Sequence, residues 1–185
     1  MPISAETLKQ FAYYKTFIET GCGNGGGIDA ALAAGFEEVY SIELYKDKYL
    51  PVRTRFANDL RVSLLLGNST SILTGLLPAL SSTPCVFWLD AHYDFAVRGK
   101  GNNLEDVQPI LGELEAIQKH SRINTHTILI DDRPDFVNPK PWFHSISEQK
   151  LKDKMYLINS GYRFRTIDGV DKDTILVAEL LELRK

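Results

Sequence analysis

Acidic side chains recur in this chain just after short apolar, β-branched runs, and glycines crowd behind the first of them. In "FIETGCGNGGG", residues 17–27, Glu19 stands two places before Gly21, and Gly21, Gly23, Gly25, Gly26 and Gly27 fill five of seven positions. A backbone this bare can approach a ligand closely at the start of a helix, where a Cβ would collide with it. Two kinds of ligand suit such a loop. Gly21-x-Gly23-x-x-Gly26, with Glu43 about twenty residues on, fits a dinucleotide: pyrophosphate at the helix N-terminus and the acid on a ribose. Gly21-x-Gly23-x-Gly25 preceded by Glu19 fits a ligand carrying positive charge, because a carboxylate is favoured beside ammonium or sulfonium and repelled by pyrophosphate.

Further along, Asn68 and Ser69 follow "RVSLLLG", Asp90 sits in "VFWLDAHYD", and Asp131 with Asp132 ends "THTILIDD". Carboxylates at neighbouring strand ends are hard oxygen donors of the type that Mg²⁺ accepts. Asp131 could instead serve the turn "DDRPD", with Arg133 neutralising it. His92 offers a neutral imidazole suited to general-base work near neutral pH. No motif supports His120, His126 or His144.

Elements that would position these groups alternate along the chain. Short β-rich runs ("YYKTFIET", "EVYSIEL", "RVSLLLGN", "PCVFWLDAH", "THTILIDD") are separated by helical stretches, which predicts a parallel sheet covered on both faces. The helices are expected from Gly26 to a C-cap at Gly35, then over 45–59, over 69–80 with Ser and Thr caps, over 104–120, and over 145–161. "RPDFVNPKPWF" reads as a Pro-rich loop. The end changes rhythm: "YRFRTI", the turn "DGVDKD" and "TILVAELLEL" read as an antiparallel hairpin. The expected fold is therefore α/β, a Rossmann-like doubly wound, mostly parallel seven-stranded sheet with a C-terminal antiparallel hairpin. In such sheets ligands bind outside the carboxyl ends of the strands, where the strand order reverses.

With 185 residues, 44% apolar and 24% charged, the chain suits one domain spanning 1–185. A net charge of −3 disfavours nucleic acid as a partner, and no apolar stretch is long enough to span a bilayer. The first residues lack a basic-then-apolar leader, and two cysteines, Cys22 and Cys85, without metal-type spacing fit a reduced, cytoplasmic setting.

Three features favour the positively charged ligand: Glu19 itself, a sheet that leaves no second domain for a dehydrogenase substrate, and the terminal hairpin. Over nearly its full length the chain resembles the class I S-adenosylmethionine-dependent methyltransferases. Residues 62–94, followed by "ILIDD", are similar to the catechol O-methyltransferase group. The resemblance implies an S-adenosylmethionine site formed by Glu19, Gly21, Gly23, Gly25, Glu43, Asn68, Ser69 and Asp90. In it the loop would hold the methionine part, Glu43 both ribose hydroxyls, and Asn68 and Ser69 the adenine. It also implies Mg²⁺ on Asp90, Asp131 and Asp132, and methyl transfer to an oxygen of a small molecule or glycan. The group's catalytic lysine position is occupied by Tyr93, which leaves Asp90 and His92 as the candidate catalytic residues. The N-terminus is shorter than in catechol-type relatives, so "YDFAVRGKGNN" and "RPDFVNPKPWFHS", with Phe136 among their aromatics, are expected to wall the acceptor, aided by a second subunit in a homodimer. A nicotinamide-dependent oxidoreductase and a non-catalytic cofactor-binding protein on the same fold stand as alternatives.

Overall fold

The computed structural model describes residues 3–80, 83–91, 108–120, 125–139 and 146–180. Its strands are β1 (Thr16–Thr20), β2 (Glu38–Glu43), β3 (Val62–Leu66), β4 (Cys85–Leu89), β5 (Thr127–Ile130), β6 (Arg163–Ile167) and β7 (Ile175–Glu179). They form one sheet in the order β3-β2-β1-β4-β5-β7-β6. β1 to β5 run parallel, and β7 enters antiparallel between β5 and β6. The expected Rossmann-like fold with its terminal hairpin is what the chain adopts. The order reverses between β1 and β4, which places the crevice beside Thr20 and Asp90.

The helices are α1 (Ala5–Lys9), α2 (Gly26–Ala34), α3 (Lys46–Arg55), α4 (Ser69–Leu76), α5 (Ile110–Lys119), α6 (Arg133–Val137) and α7 (Glu148–Ile158). β1 and β4 are buried at every position, so each contributes to two cores. Ile18, Phe87, Ile128 and Ile130 meet α4, α5 and α7 on one face; Phe17, Val86, Trp88 and Leu129 meet α1, α2 and α3 on the other. No described helix is long and apolar enough to cross a membrane.

Several boundaries differ from the sequence reading for identifiable reasons. Asn68, not Ser69 or Thr70, caps α4, its Oδ1 accepting from the Ser71 amide at 3.1 Å. α5 is described from Ile110, after Pro109; residues 104–107 of the expected helix lie outside the described residues. "RPDFV" is a short helix rather than loop: Pro134 falls in the first turn, where its missing N–H costs nothing.

Opposite the crevice, below the amino ends of β4 and β5, two imidazoles are packed into the core. The Cys85 amide donates to His126 Nδ1 at 3.0 Å, so the His126 proton resides on Nε2, 3.2 Å from His120 Nδ1. Phe87 meets the His126 ring edge-on, and the Tyr162 hydroxyl donates to the His126 carbonyl at 2.9 Å. Burial, with His120 adding, lowers the His126 pKa from 6.5 to about 3. Below pH 6.5 the unfolded chain takes up a proton that the folded chain refuses until about 3, so this contribution is complete above 6.5 and is lost as pH falls. His126→Asn keeps an acceptor for the Cys85 amide but cannot titrate. Between pH 6.5 and 4.5, urea unfolding should therefore show wild type losing stability more steeply than the variant, by about 1.4 kcal/mol per pH unit. Parallel pH profiles would remove the histidine pair from the account.

Candidate functional site

The glycine loop leaves β1 by a turn that only glycine accommodates. Gly21, Gly23 and Gly25 all have positive φ, at 83°, 50° and 77°. A Cβ on Gly21 would lie 2.6 Å from the carbonyl oxygen of Asp90, so β1 and β4 close on each other at the crevice floor. The Gly21 and Cys22 amides both donate to the Ile42 carbonyl, at 2.9 and 3.2 Å, binding the loop to the end of β2. Burial, then Glu43 and Glu19, push the Cys22 thiol well above the ordinary range, away from the thiolate form.

Glu43 ends β2 almost fully buried, and one carboxylate oxygen accepts from the Gly23 amide at 3.2 Å while the other accepts from the Tyr45 amide at 2.9 Å. A carboxylate has about four acceptor sites, so these two bonds leave capacity for two further donors such as vicinal hydroxyls. Glu43 thus both shapes the loop and remains competent for the expected ribose contact.

Glu19 lies beneath the loop rather than at its lip, 2% exposed, accepting from the Ser41 hydroxyl at 2.5 Å. Its Oε1 occupies the place of a side chain at Gly27, where a Cβ would fall 1.8 Å away. Burial pushes its pKa up to about 8, against the Ser41 bond, with Glu43 and Asp29 adding to the rise. The carboxyl is therefore largely protonated at neutral pH, and a nearby cation would favour its ionised form.

On the far side of the reversal point, Asp90, Asp131 and Asp132 border one cleft with Leu89, Ala91, Gln108, Ile110, Ile130 and Phe136. Asp132 has φ 52°, a left-handed conformation uncommon for a non-glycine residue. Burial, then Asp131, Asp132 and Glu19, hold the Asp90 carboxyl well above the usual carboxylate range, and the Trp88 indole partly offsets this. Arg133 directs its guanidinium to Glu148, 2.7 Å away, and to the Asp173 carbonyl. The Mg²⁺ expectation gains no support: among the described residues no three His, Cys, Asp or Glu side chains are grouped to hold a metal. His92, the other candidate base, lies outside the described residues.

Sequence reasoning missed one acid. Glu113 on α5 is fully buried, and burial pushes its pKa up to about 7, opposed by the hydroxyls of Ser69 and Thr20. Helical periodicity held the signal, since Glu113 falls on the same face as Ile110, Leu114 and Ile117.

The Glu19–Gly27 contact gives a direct test. Gly27→Ala should destabilise the protein by more than about 2 kcal/mol, because the clash is with a buried carboxyl that cannot move to solvent. Adding Glu19→Ser, which retracts the carboxyl, should return at least about 1 kcal/mol of that loss. Strict additivity in a double-mutant cycle by chemical denaturation would show that the two residues do not share this space.

No family model and no curated protein matches the chain. Solved structures do. The SAH-bound Podospora anserina methyltransferase PaMTH1 matches over 95% of this chain and 75% of its own, with TM-score 0.62 and 16% identity. The O-methyltransferase TomG of Streptomyces achromogenes, involved in tomaymycin synthesis and bound to SAM, gives 0.62 and 14%, covering 95% and 77%. An O-methyltransferase from Bacillus cereus in complex with SAH gives 0.63 and 15%, covering 95% and 78%. Spermidine synthase from Thermotoga maritima shares the architecture at 0.57 and 12%, over 92% of this chain and 55% of its own. At these identities the likeness is one of fold, and the fold of this chain is the Rossmann-like methyltransferase fold.

Proposed function

We propose that this chain is an S-adenosylmethionine-dependent methyltransferase acting on an oxygen of a small molecule or sugar. The observation that carries the reading is the carboxyl set around the glycine loop. Glu43 has acceptor capacity left at the loop, while Glu19 is a buried acid and Asp90 a partly buried one, and a sulfonium or ammonium would favour the ionised form of both. A dinucleotide pyrophosphate would make the same acids worse. The neighbours bound to SAM or SAH share the fold of this chain, which supports the reading.

Bound there, S-adenosylmethionine would supply an electrophilic methyl group, and transfer to an acceptor oxygen would release S-adenosylhomocysteine and one proton. The chain's own part is positioning and proton removal. Leu89, Ala91, Ile110, Ile130 and Phe136 give the cleft apolar walls that orient an acceptor and limit water. Asp90, between loop and cleft, has its carboxyl held well above the usual carboxylate range by burial and by Asp131, Asp132 and Glu19, which raises its affinity for a proton. The acceptor's proton goes to Asp90, with His92 as the competing base.

S-adenosylmethionine and S-adenosylhomocysteine should raise the melting temperature, whereas NAD and NADP should not; a preferential shift with either dinucleotide would overturn the reading. Glu43→Ala should weaken cofactor binding by about 2–4 kcal/mol in calorimetric titration, since it removes a charged acceptor and frees the Gly23 amide. Unchanged affinity in a folded variant would make Glu43 a loop anchor alone.

A further inference from the structure

Glu113 is not explained by the fold. Both of its carboxyl oxygens and the Thr20 hydroxyl are buried without a well-formed hydrogen bond. An acid in that state costs stability, and an apolar residue of similar volume would be cheaper. Its location is specific. Thr20 ends β1 at the reversal point, and Ser69 opens α4 beside Glu43, whose carbonyl accepts from the Gly67 amide at 2.9 Å. Helices α4 and α5 are in contact here: a Cβ on Gly112 would come 2.6 Å from the Thr70 hydroxyl, so the helix segment carrying Glu113 is pressed against the first turn of α4.

We propose that Glu113 is a positioning residue for the nucleoside end of the ligand, acting through Ser69 and Thr20 by setting which way their hydroxyls point. Ionised, the carboxylate accepts from both hydroxyls, so both O–H bonds turn inward and Ser69 presents lone pairs to the crevice. That arrangement accepts a hydrogen bond from an exocyclic amino group and selects an amino-bearing base over a 6-oxo one. Protonated, the carboxyl donates to one hydroxyl, whose own hydrogen is then free to turn outward, and the preference is lost. Ligand binding therefore draws the proton from Glu113 into solvent.

Among the described residues, the groups facing Glu113 leave it to titrate by itself. α4 presents Ser69 and Thr70, β1 presents Thr20, and α7 presents Leu151 and Met155 to the same core, with its Lys154 turned to Glu115. Glu19, on the alternate position of β1, faces the α2 side of the sheet. The raised Glu113 pKa, caused by burial and opposed by the two hydroxyls, places the transition near neutrality.

The inference rests on the S-adenosylmethionine reading, and the test separates the two. 5′-Methylthioadenosine carries the nucleoside without the amino-acid ammonium, so it leaves out the charge that would act on Glu19. Calorimetric titration at pH 6.5 in two buffers of different ionisation enthalpy should show wild type releasing a fraction of one proton on binding it, and Glu113→Gln releasing none. Wild type should prefer 5′-methylthioadenosine over 5′-methylthioinosine increasingly from pH 6 to 8, reaching about tenfold, while Glu113→Gln holds one lower ratio throughout. Glu113→Leu should raise the melting temperature without ligand yet bind the adenosine compound more weakly, a pairing that a structural role would not give. If S-adenosylhomocysteine does not bind wild type, the cofactor reading falls and this inference with it. If it binds, but proton release and base preference are the same in wild type and Glu113→Gln, the inference alone is overturned.

Discussion

The carboxyl of Glu19 fills the space that a side chain at Gly27 would need, and the crevice is arranged around that contact. Because the acid sits under the first turn of α2, the chain must leave β1 in left-handed turns at Gly21, Gly23 and Gly25 before the helix begins. Those turns bring the Gly21 and Cys22 amides onto the Ile42 carbonyl and the Gly23 amide onto Glu43. The Ser41 hydroxyl holds Glu19 from β2. One buried carboxyl thus fixes the register between β1, β2 and α2, and the second carboxylate completes the loop's shape. Replacing Glu19 with a residue chosen for stability would remove the reason for Gly27 as well.

Acidic groups then accumulate around the carboxyl ends of β1, β2, β4 and β5 without a metal-type grouping among the described residues. Each is costly alone. Burial raises Glu19, Asp90 and Glu113, and mutual repulsion adds to the first two. Folds tolerate such cost where a ligand relieves it, and under the proposed function that ligand is S-adenosylmethionine, a cation with hydroxyl and amino donors around it. The two faces of β1 divide the work: Glu19 lies toward α2 beneath the loop, and Thr20 lies toward α4 and α5 with Glu113 behind it.

Much of this was legible before the coordinates. The glycine loop, the strand alternation and the terminal hairpin are local patterns with strong physical causes, so the mostly parallel sheet with its antiparallel hairpin and the places of Glu43 and Asp90 at strand ends are readable from them. Glu19 is marked in the sequence by its place before the glycines, but its position beneath the loop is not, because spacing shows that a residue lies near a strand end and not which face its neighbours close. Gly27 was counted as one glycine among five, whereas its requirement comes from a side chain eight positions earlier. Glu113 is the residue the sequence reading passes over although its periodicity exposes it, since Glu is almost never fully buried unless paired. α6 was missed because two prolines in "RPDFVNP" read as loop, while the first of them occupies the one part of a helix that accepts it.

The two ends of the sheet respond to pH in opposite directions, which separates the part that holds the fold from the part that binds. At the amino ends, His126 is kept neutral, so its contribution is complete above pH 6.5 and falls away toward 3. At the carboxyl ends the acids are raised: Glu113 and Glu19 contribute fully below 4.5 and lose that contribution as pH rises through about 7 and 8. Without ligand, the chain at neutral pH therefore has a settled base and a crevice rim close to its titration range. A cationic ligand adds stability where the chain lacks it, by taking the ionised forms that burial disfavours. At the histidine end the Cys85 amide and the Tyr162 hydroxyl already bind His126 from two sides. At neutral pH the strain of buried acids thus lies toward the carboxyl ends of the strands, where the proposed ligand would bind.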